Sequence, residues 1–212
     1  MNPDAIDILY EDDQLLAVNK PSGLLVIPTD KGERRTLTTL VNRVLERRGL
    51  TVKGHPCHRL DRETSGVILY AKGKVMQQKV MALFHRREVD KVYLALVSGV
   101  PFHAEGELKT PIEGKPALTS YRVVAVKKGY AVVEVRPRTG RTNQIRIHFK
   151  GIGHPLLGES KYAFRKDFSI KFKRVALHAG LIELVHPVTG KKLVVKAPVP
   201  EDMKRMMEDL SF

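Results

Sequence analysis

The chain has 212 residues, 42% of them apolar and 28% charged, which allows a sizeable core and excludes wholesale disorder. No apolar run exceeds six residues, far short of the roughly twenty that a membrane-spanning helix needs, and one cysteine, Cys57, excludes an internal disulfide and fits a reducing cytoplasm. Lys and Arg outnumber Asp and Glu by 37 to 23, a formal charge of +14, while residues 1–13 hold five acids and no base, the reverse of a targeting peptide. The positive excess therefore lies on ordinary-complexity sequence, where a polyanion rewards each neutralised phosphate by releasing counterions. Nucleic acid is the favoured partner. An anionic membrane surface is the rival, and no amphipathic segment with a dedicated lipid face supports it.

Residues 6–11 and 15–19 are short alternating runs around Asp12-Asp13 and predict a hairpin. The Lys20-Pro21-Ser22-Gly23 turn leads into a strand over 24–27. Thr36 caps a helix whose Leu37, Leu40, Val41, Val44 and Leu45 share one apolar face and which stops at Gly49. After a loop over 51–66 comes a continuously apolar strand, 67–71, and then Met76, Val80, Leu83 and Phe84 at helical spacing. Residues 91–97 read as a strand, and 120–126 with 130–136 as a hairpin across Lys127-Lys128-Gly129. Residues 142–150 alternate as a strand would at Ile145, Ile147 and Phe149, yet Ile145, Phe149 and Ile152 also fit a helix. Thr142 as cap and Gly151 and Gly153 as stops favour the helix. Residues 176–185 and 192–196 form a further hairpin around the turn at 187–190, and a short basic helix over 201–210 closes the chain. Hairpin-paired strands with a few helices packed outside predict an α+β fold in a single domain over 1–212, with no repeat or linker.

Three clusters could carry chemistry. In His58-Arg59-Leu60-Asp61-Arg62-Glu63-Thr64-Ser65-Gly66, a carboxylate stands between two arginines just before the buried strand. Nearby positive charge keeps it ionised, and an ionised aspartate attacks carbon or removes a proton without a metal. A structural ion pair or a loop-capping aspartate explains the same residues. In Arg138-Thr139-Gly140-Arg141-Thr142-Asn143-Gln144-Ile145-Arg146-Ile147-His148, a Gly turn before a helix N-terminus makes a phosphate platform, and on the helix Arg146 points toward a carboxylate in the cleft; a solvated basic helix is the bland alternative. His55-Pro56-Cys57-His58 offers three donors but lacks the paired spacing of zinc sites. The dinucleotide, P-loop and HExxH signatures are missing, and no serine sits in a GxSxG elbow.

Residues His58–Gly66, followed by Val67-Ile68-Leu69-Tyr70-Ala71-Lys72, resemble the catalytic motif of the RluA-type RNA pseudouridine synthases. Val18-Asn19-Lys20-Pro21-Ser22-Gly23-Leu24 resembles that family's N-terminal motif, and Lys91-Val92-Tyr93-Leu94-Ala95-Leu96-Val97-Ser98-Gly99 its tyrosine strand. Gly140 to His148 with Gly153-His154-Pro155-Leu156-Leu157-Gly158-Glu159 resembles its basic motif, and Leu177-His178-Ala179 and His186-Pro187 its closing strands. The likeness runs from about residue 8 to residue 198, with the motifs in order.

The resemblance implies a mixed, mainly antiparallel sheet with flanking helices and a central cleft, and an isomerase that detaches uracil from C1′ of an RNA uridine and reattaches it through C5. It implies Asp61 as the essential carboxylate, Tyr93 packed on the target base, Arg146 paired with Asp61, and Arg59 entering the RNA stack, with Arg62, Lys20, Arg141 and Gln144 as further RNA contacts. No cofactor and no metal are expected. The implied partner is rRNA or tRNA, with the enzyme a cytoplasmic monomer that needs no protein partner. Flipping uracil out of paired RNA, stacking it on an aromatic platform and stabilising the departing anion by preorganised cations agree with such a site. Asn143 stands where the family commonly has His. With Lys20-Pro21 so near the start, no S4-type RNA-binding domain is expected before it, and the catalytic domain is expected to find RNA with its own surface, to which Phe164-Arg165-Lys166 and Lys171-Phe172-Lys173-Arg174 contribute unless they are a solvated basic loop with buried phenylalanines. An RNA-binding protein without catalysis is the rival from another class. A nuclease would want several carboxylates for metal-assisted chemistry.

Overall fold

Asp12 folds the first hairpin: its Oδ1 accepts from the backbone N–H groups of Gln14 and Leu15, both at 2.7 Å. That turn joins β1 (Asp7–Glu11) and β2 (Leu15–Lys20), which pair antiparallel. The computed structural model describes residues 6–164 and 170–208. They fall into two compact units, one of residues 1–89 with 181–197 and one of residues 90–180 with 198–212.

In the first unit the sheet runs β1-β2-β4-β9, where β4 is Ser65–Lys72 and β9 is Leu177–Val185, of which residues 181–185 belong to this unit, with β3 (Gly54–Pro56) on β4 and β10 (Lys192–Lys196) on β9. The run at 67–71 is apolar throughout because both faces of β4 are covered. Val67, Leu69 and Ala71 join Met76, Val80 and Leu83 of α2 (Lys74–Arg86) in one core cluster. Tyr70 faces the other way, and its hydroxyl lies 3.0 Å from Thr38 Oγ1 on α1 (Leu37–Arg47). Thr36 caps α1 in a reciprocal box with Thr39, as the sequence predicts for the cap. Gly54 lets α1 approach β3, since a Cβ there would sit 2.9 Å from Val41 Cγ1.

In the second unit β5 (Asp90–Ser98), β8 (Tyr130–Pro137), β7 (Thr119–Lys127) and β6 (Glu105–Leu108) are neighbours in that order, each pair antiparallel. Ala95 and Val97 of β5 pack with Ile145 and Phe149 of α3 (Gln144–Gly151). Leu96 and Val132, on the opposite face, pack with Met203 of α4 (Glu201–Met207). Four helices and ten strands among the described residues make an α+β fold, and no helix among them is long and apolar enough to cross a membrane.

Residues 24–27 form no strand. Their acceptors are taken locally: Leu25 O and Val26 O receive the N–H groups of Leu37 and Thr38 at the start of α1, and Leu24 O receives the Lys20 ammonium. The loop predicted over 51–66 contains the short strand β3, and β6 is a second strand that the pattern did not announce. Helix α3 starts one residue later than the Thr142 cap predicts; Asn143 is the capping position, at φ 54°, and its side chain makes no cap bond. The closing helix ends at Met207, and Leu210, Arg165 and Lys166 lie outside the described residues.

Candidate active site

Asp61 is half-buried and sits in a loop whose backbone is held at both ends. At one end, His58 Nε2 accepts the Leu69 N–H at 3.0 Å, tying the loop to β4, and its ring lies 5.0 Å from that of Phe84. At the other end, Arg62 O accepts the Gly23 N–H at 2.8 Å and the Lys20 ammonium at 2.9 Å, while Ser22 Oγ donates to Glu63 O at 2.6 Å. Leu60 is buried between these anchors. The turn at 20–23 therefore clamps the segment after Asp61, and little backbone freedom remains for its carboxylate.

Lys20 departs from the expected RNA contact. It is fully buried, and its ammonium donates to Pro21 O at 2.9 Å, Leu24 O at 2.6 Å and Arg62 O at 2.9 Å, which uses its three N–H bonds. Arg62 is exposed and directs Nε to Gly23 O, while Arg59 is exposed on the same loop. Cys57 is buried, and burial pushes its thiol up to about 12. His55 is half-buried, and His58 has given one ring nitrogen to Leu69.

The second unit carries Tyr93 and Arg146. Tyr93 is half-buried on β5 and packs with the cluster that contains Ala95, Val97 and α3. Lys91 lies two residues earlier, so strand alternation places it on the same face, and burial lowers its pKa despite Asp90 beside it. Arg146 is buried on α3. It pairs with the carboxylate of Glu159, a partner that the sequence reading did not name: Nε donates to Oε2 at 2.6 Å and Nη2 to Oε1 at 2.7 Å. Nη1 donates to Asn143 Oδ1 at 2.8 Å, and the Tyr162 ring centre lies 5.4 Å from Arg146 Cζ. Burial alone would raise the Glu159 pKa, but Arg146 and the backbone N–H groups of Lys161 and Tyr162 outweigh it and hold the carboxyl below its ordinary value.

Gln144 also departs from the expected RNA contact. Its Oε1 accepts from Thr139 Oγ1 and Arg141 N, and its Nε2 donates to Leu118 O and Thr119 Oγ1, so its four hydrogen-bonding capacities tie the loop before α3 to the start of β7. Arg141 is half-exposed, with Nε on Pro116 O. Of the basic stretch at 171–174, Lys171 and Lys173 are exposed, while Arg174 pairs with Asp202 and Phe172 packs on the core. Sequence reasoning missed Glu159 and Tyr162 as partners of Arg146. The signal available was an acid in a Gly-Pro-rich segment, thirteen residues beyond an arginine that needed one.

A family model described as RNA pseudouridylate synthase matches residues 14–150. The dual-specificity RNA pseudouridine synthase RluA of Escherichia coli is 36% identical over 90% of this chain and 92% of its own. An RNA pseudouridine synthase of Bacillus subtilis, YlyB, is 36% identical over 98% of this chain and 74% of its own length. Among solved structures, human RNA pseudouridylate synthase domain containing 4 superposes with a TM-score of 0.79 at 26% identity, covering 95% of this chain and 92% of that one.

Proposed function

The chain belongs to the RNA pseudouridylate synthase family and isomerises uridine to pseudouridine in RNA, and from that premise we propose that Asp61 is the carboxylate on which the reaction depends. In this reading Tyr93 lies against the target base, Arg146 is the cationic partner of Asp61, and Arg59 occupies the RNA stack that the uridine leaves. The substrate is a uridine in structured rRNA or tRNA, a class supported by the dual-specificity relative, which covers nearly the whole chain. The reaction breaks the C1′–N1 bond, forms C1′–C5, and exchanges a proton from C5 for one on N1, so it is redox-neutral.

The observation that carries the reading is the double anchoring of the Asp61 loop, to β4 through His58 and to the turn at 20–23 through Arg62 and Glu63. A carboxylate held this way meets a reacting carbon without paying to be ordered at the moment of reaction. The flanking Arg59 is exposed, as a residue that must reach RNA needs to be. The test is Asp61→Asn, nearly isosteric, so the anchored loop persists. The variant binds unmodified transcribed RNA at least as tightly as wild type, because a negative charge facing phosphate is gone. It releases no tritium from C5-labelled uridine, because an amide neither attacks carbon nor removes a proton effectively. Robust release by Asp61→Asn overturns the assignment.

A further inference from the structure

Burying an arginine and a glutamate side by side is expensive, and well-packed apolar residues would stabilise the same space as well or better. Yet the Arg146 side chain is 8% exposed and the Glu159 side chain 0%. The pair belongs to a closed circuit. Arg146 donates to Glu159 and to Asn143, Asn143 Nδ2 donates to the Tyr162 hydroxyl at 2.9 Å, and Tyr162 donates its backbone N–H to Glu159 Oε1 at 3.2 Å. The Tyr162 ring also faces the guanidinium.

Two local costs are accepted to close this circuit. Asn143 holds a left-handed backbone, φ 54°, which a non-glycine residue adopts at a cost, asparagine less than most. It also forgoes capping α3, although asparagine is among the best N-cap residues, because its amide is turned to Arg146 and Tyr162. The backbone just before Glu159 is fixed as well. A Cβ at Gly158, φ 73°, would lie 1.8 Å from Arg174 O, so only glycine lets these segments cross.

The circuit uses three of the five N–H bonds of Arg146, Nε and one on each terminal nitrogen. The remaining two lie one on each terminal nitrogen, and their direction is set by the three that are fixed. We propose that Glu159, Asn143 and Tyr162 are positioning residues for Arg146, which hold its guanidinium in the single orientation that presents those two N–H bonds to the reacting carboxylate or base. The proposal rests on the reading of Arg146 given above. It also gives Asn143 a function: a carbonyl toward the arginine and an amide toward the tyrosine.

The test compares Glu159→Gln, Glu159→Asp, Asn143→Ala, Tyr162→Phe and Arg146→Ala for single-turnover rate, RNA affinity and thermal midpoint, with rates measured where each variant is folded. Glu159→Gln puts an amide where the circuit needs a second acceptor, so the guanidinium swings. A misplacement near 1 Å costs about 100-fold in rate, and Glu159→Gln should lose about that much while RNA affinity stays within about threefold. Glu159→Asp should recover about tenfold of the loss, because the acceptors return on a shorter stem. Asn143→Ala and Tyr162→Phe should show smaller losses with the same split between rate and affinity, and they carry the test if Glu159→Gln does not fold. Wild-type rates in Glu159→Gln, or in both of the other two variants, combined with an inactive Arg146→Ala, would overturn the positioning proposal and leave Arg146 in its role. Loss of affinity in step with rate would overturn it too. Full turnover by Arg146→Ala would instead overturn the assignment of Arg146 itself.

Discussion

Replacing Lys20 with methionine separates a buried tie from an RNA contact. Methionine fills nearly the same volume, so little cavity is created, but three carbonyls lose a charged donor. Arg62 O keeps the Gly23 N–H, whereas the bonds from Lys20 to Pro21 O and Leu24 O have no replacement among the described backbone pairs. Hydrogen bonds to a charged group are worth about 1.5–3 kcal/mol each, and burying the ammonium cost several kcal/mol in desolvation. The balance is a net loss of about 3 kcal/mol on removal. For a chain of this size each kcal/mol moves the melting temperature by about 2–4 °C, so Lys20→Met should melt about 6–12 °C below wild type. Below the melting range its RNA affinity should match wild type, and its single-turnover rate should fall, because the segment after Asp61 is no longer clamped. Melting curves, RNA titration and tritium release on the same preparation decide the matter. A melting shift under about 2 °C with an affinity loss of tenfold or more would refute the reasoning and return Lys20 to the RNA surface.

RNA binding should be steeply salt-dependent: with roughly 4–8 phosphate contacts, affinity falls by orders of magnitude between about 50 and 200 mM salt, and a flat profile in a filter-binding series would detach the +14 charge from RNA. Cys57, with its thiol pushed up to about 12 by burial, should resist iodoacetamide at neutral pH in the folded protein and react once urea unfolds it; rapid native labelling would contradict its burial. The Glu159 pKa is lowered on folding, so the unfolded chain takes up that proton first. Its stabilisation is complete above the ordinary value of 4.5 and is lost as pH falls through the lower folded value. Urea midpoints of wild type should therefore drop below about pH 4.5 more than those of Glu159→Gln, and parallel curves would refute the assignment.

Where one local rule governed a segment, the sequence was legible. Thr36 announced its helix because the cap and the apolar face of α1 agree, and β4 announced itself because both of its faces are covered. Residues 24–27 misled because apolar content was taken for a strand, while their acceptors go to the start of α1 and to Lys20. Strand β3 is three residues long and contains Gly54 and Pro56, and β6 has two glutamates and a glycine in four residues, so neither carries a period. Asp61, Tyr93 and Arg146 are candidates that the motifs offer and that the proposed function adopts. The roles of Lys20 and Glu159 could not be read from motifs, because each depends on a distant partner. Lys20 reaches a carbonyl 42 residues away and Glu159 an arginine 13 residues away. A lysine in a turn and a glutamate after a glycine both look like surface residues until those partners are known.

The distribution of buried charge supplies the reason these distant ties exist. Among the described residues, the Lys, Arg, Asp and Glu side chains that are buried are Lys20, Arg146 and Glu159. Buried charge is weak evidence for stability, since apolar residues of similar volume do as well or better. Lys20 holds the segment that follows Asp61, Glu159 holds Arg146, and Arg146 is itself a candidate catalytic group. A charged tie gives what apolar packing does not, a directional bond at a fixed atom. On the proposed assignment of Asp61 and Arg146, each tie lies where the orientation of one side chain or one loop matters to the reaction more than the free energy of burial.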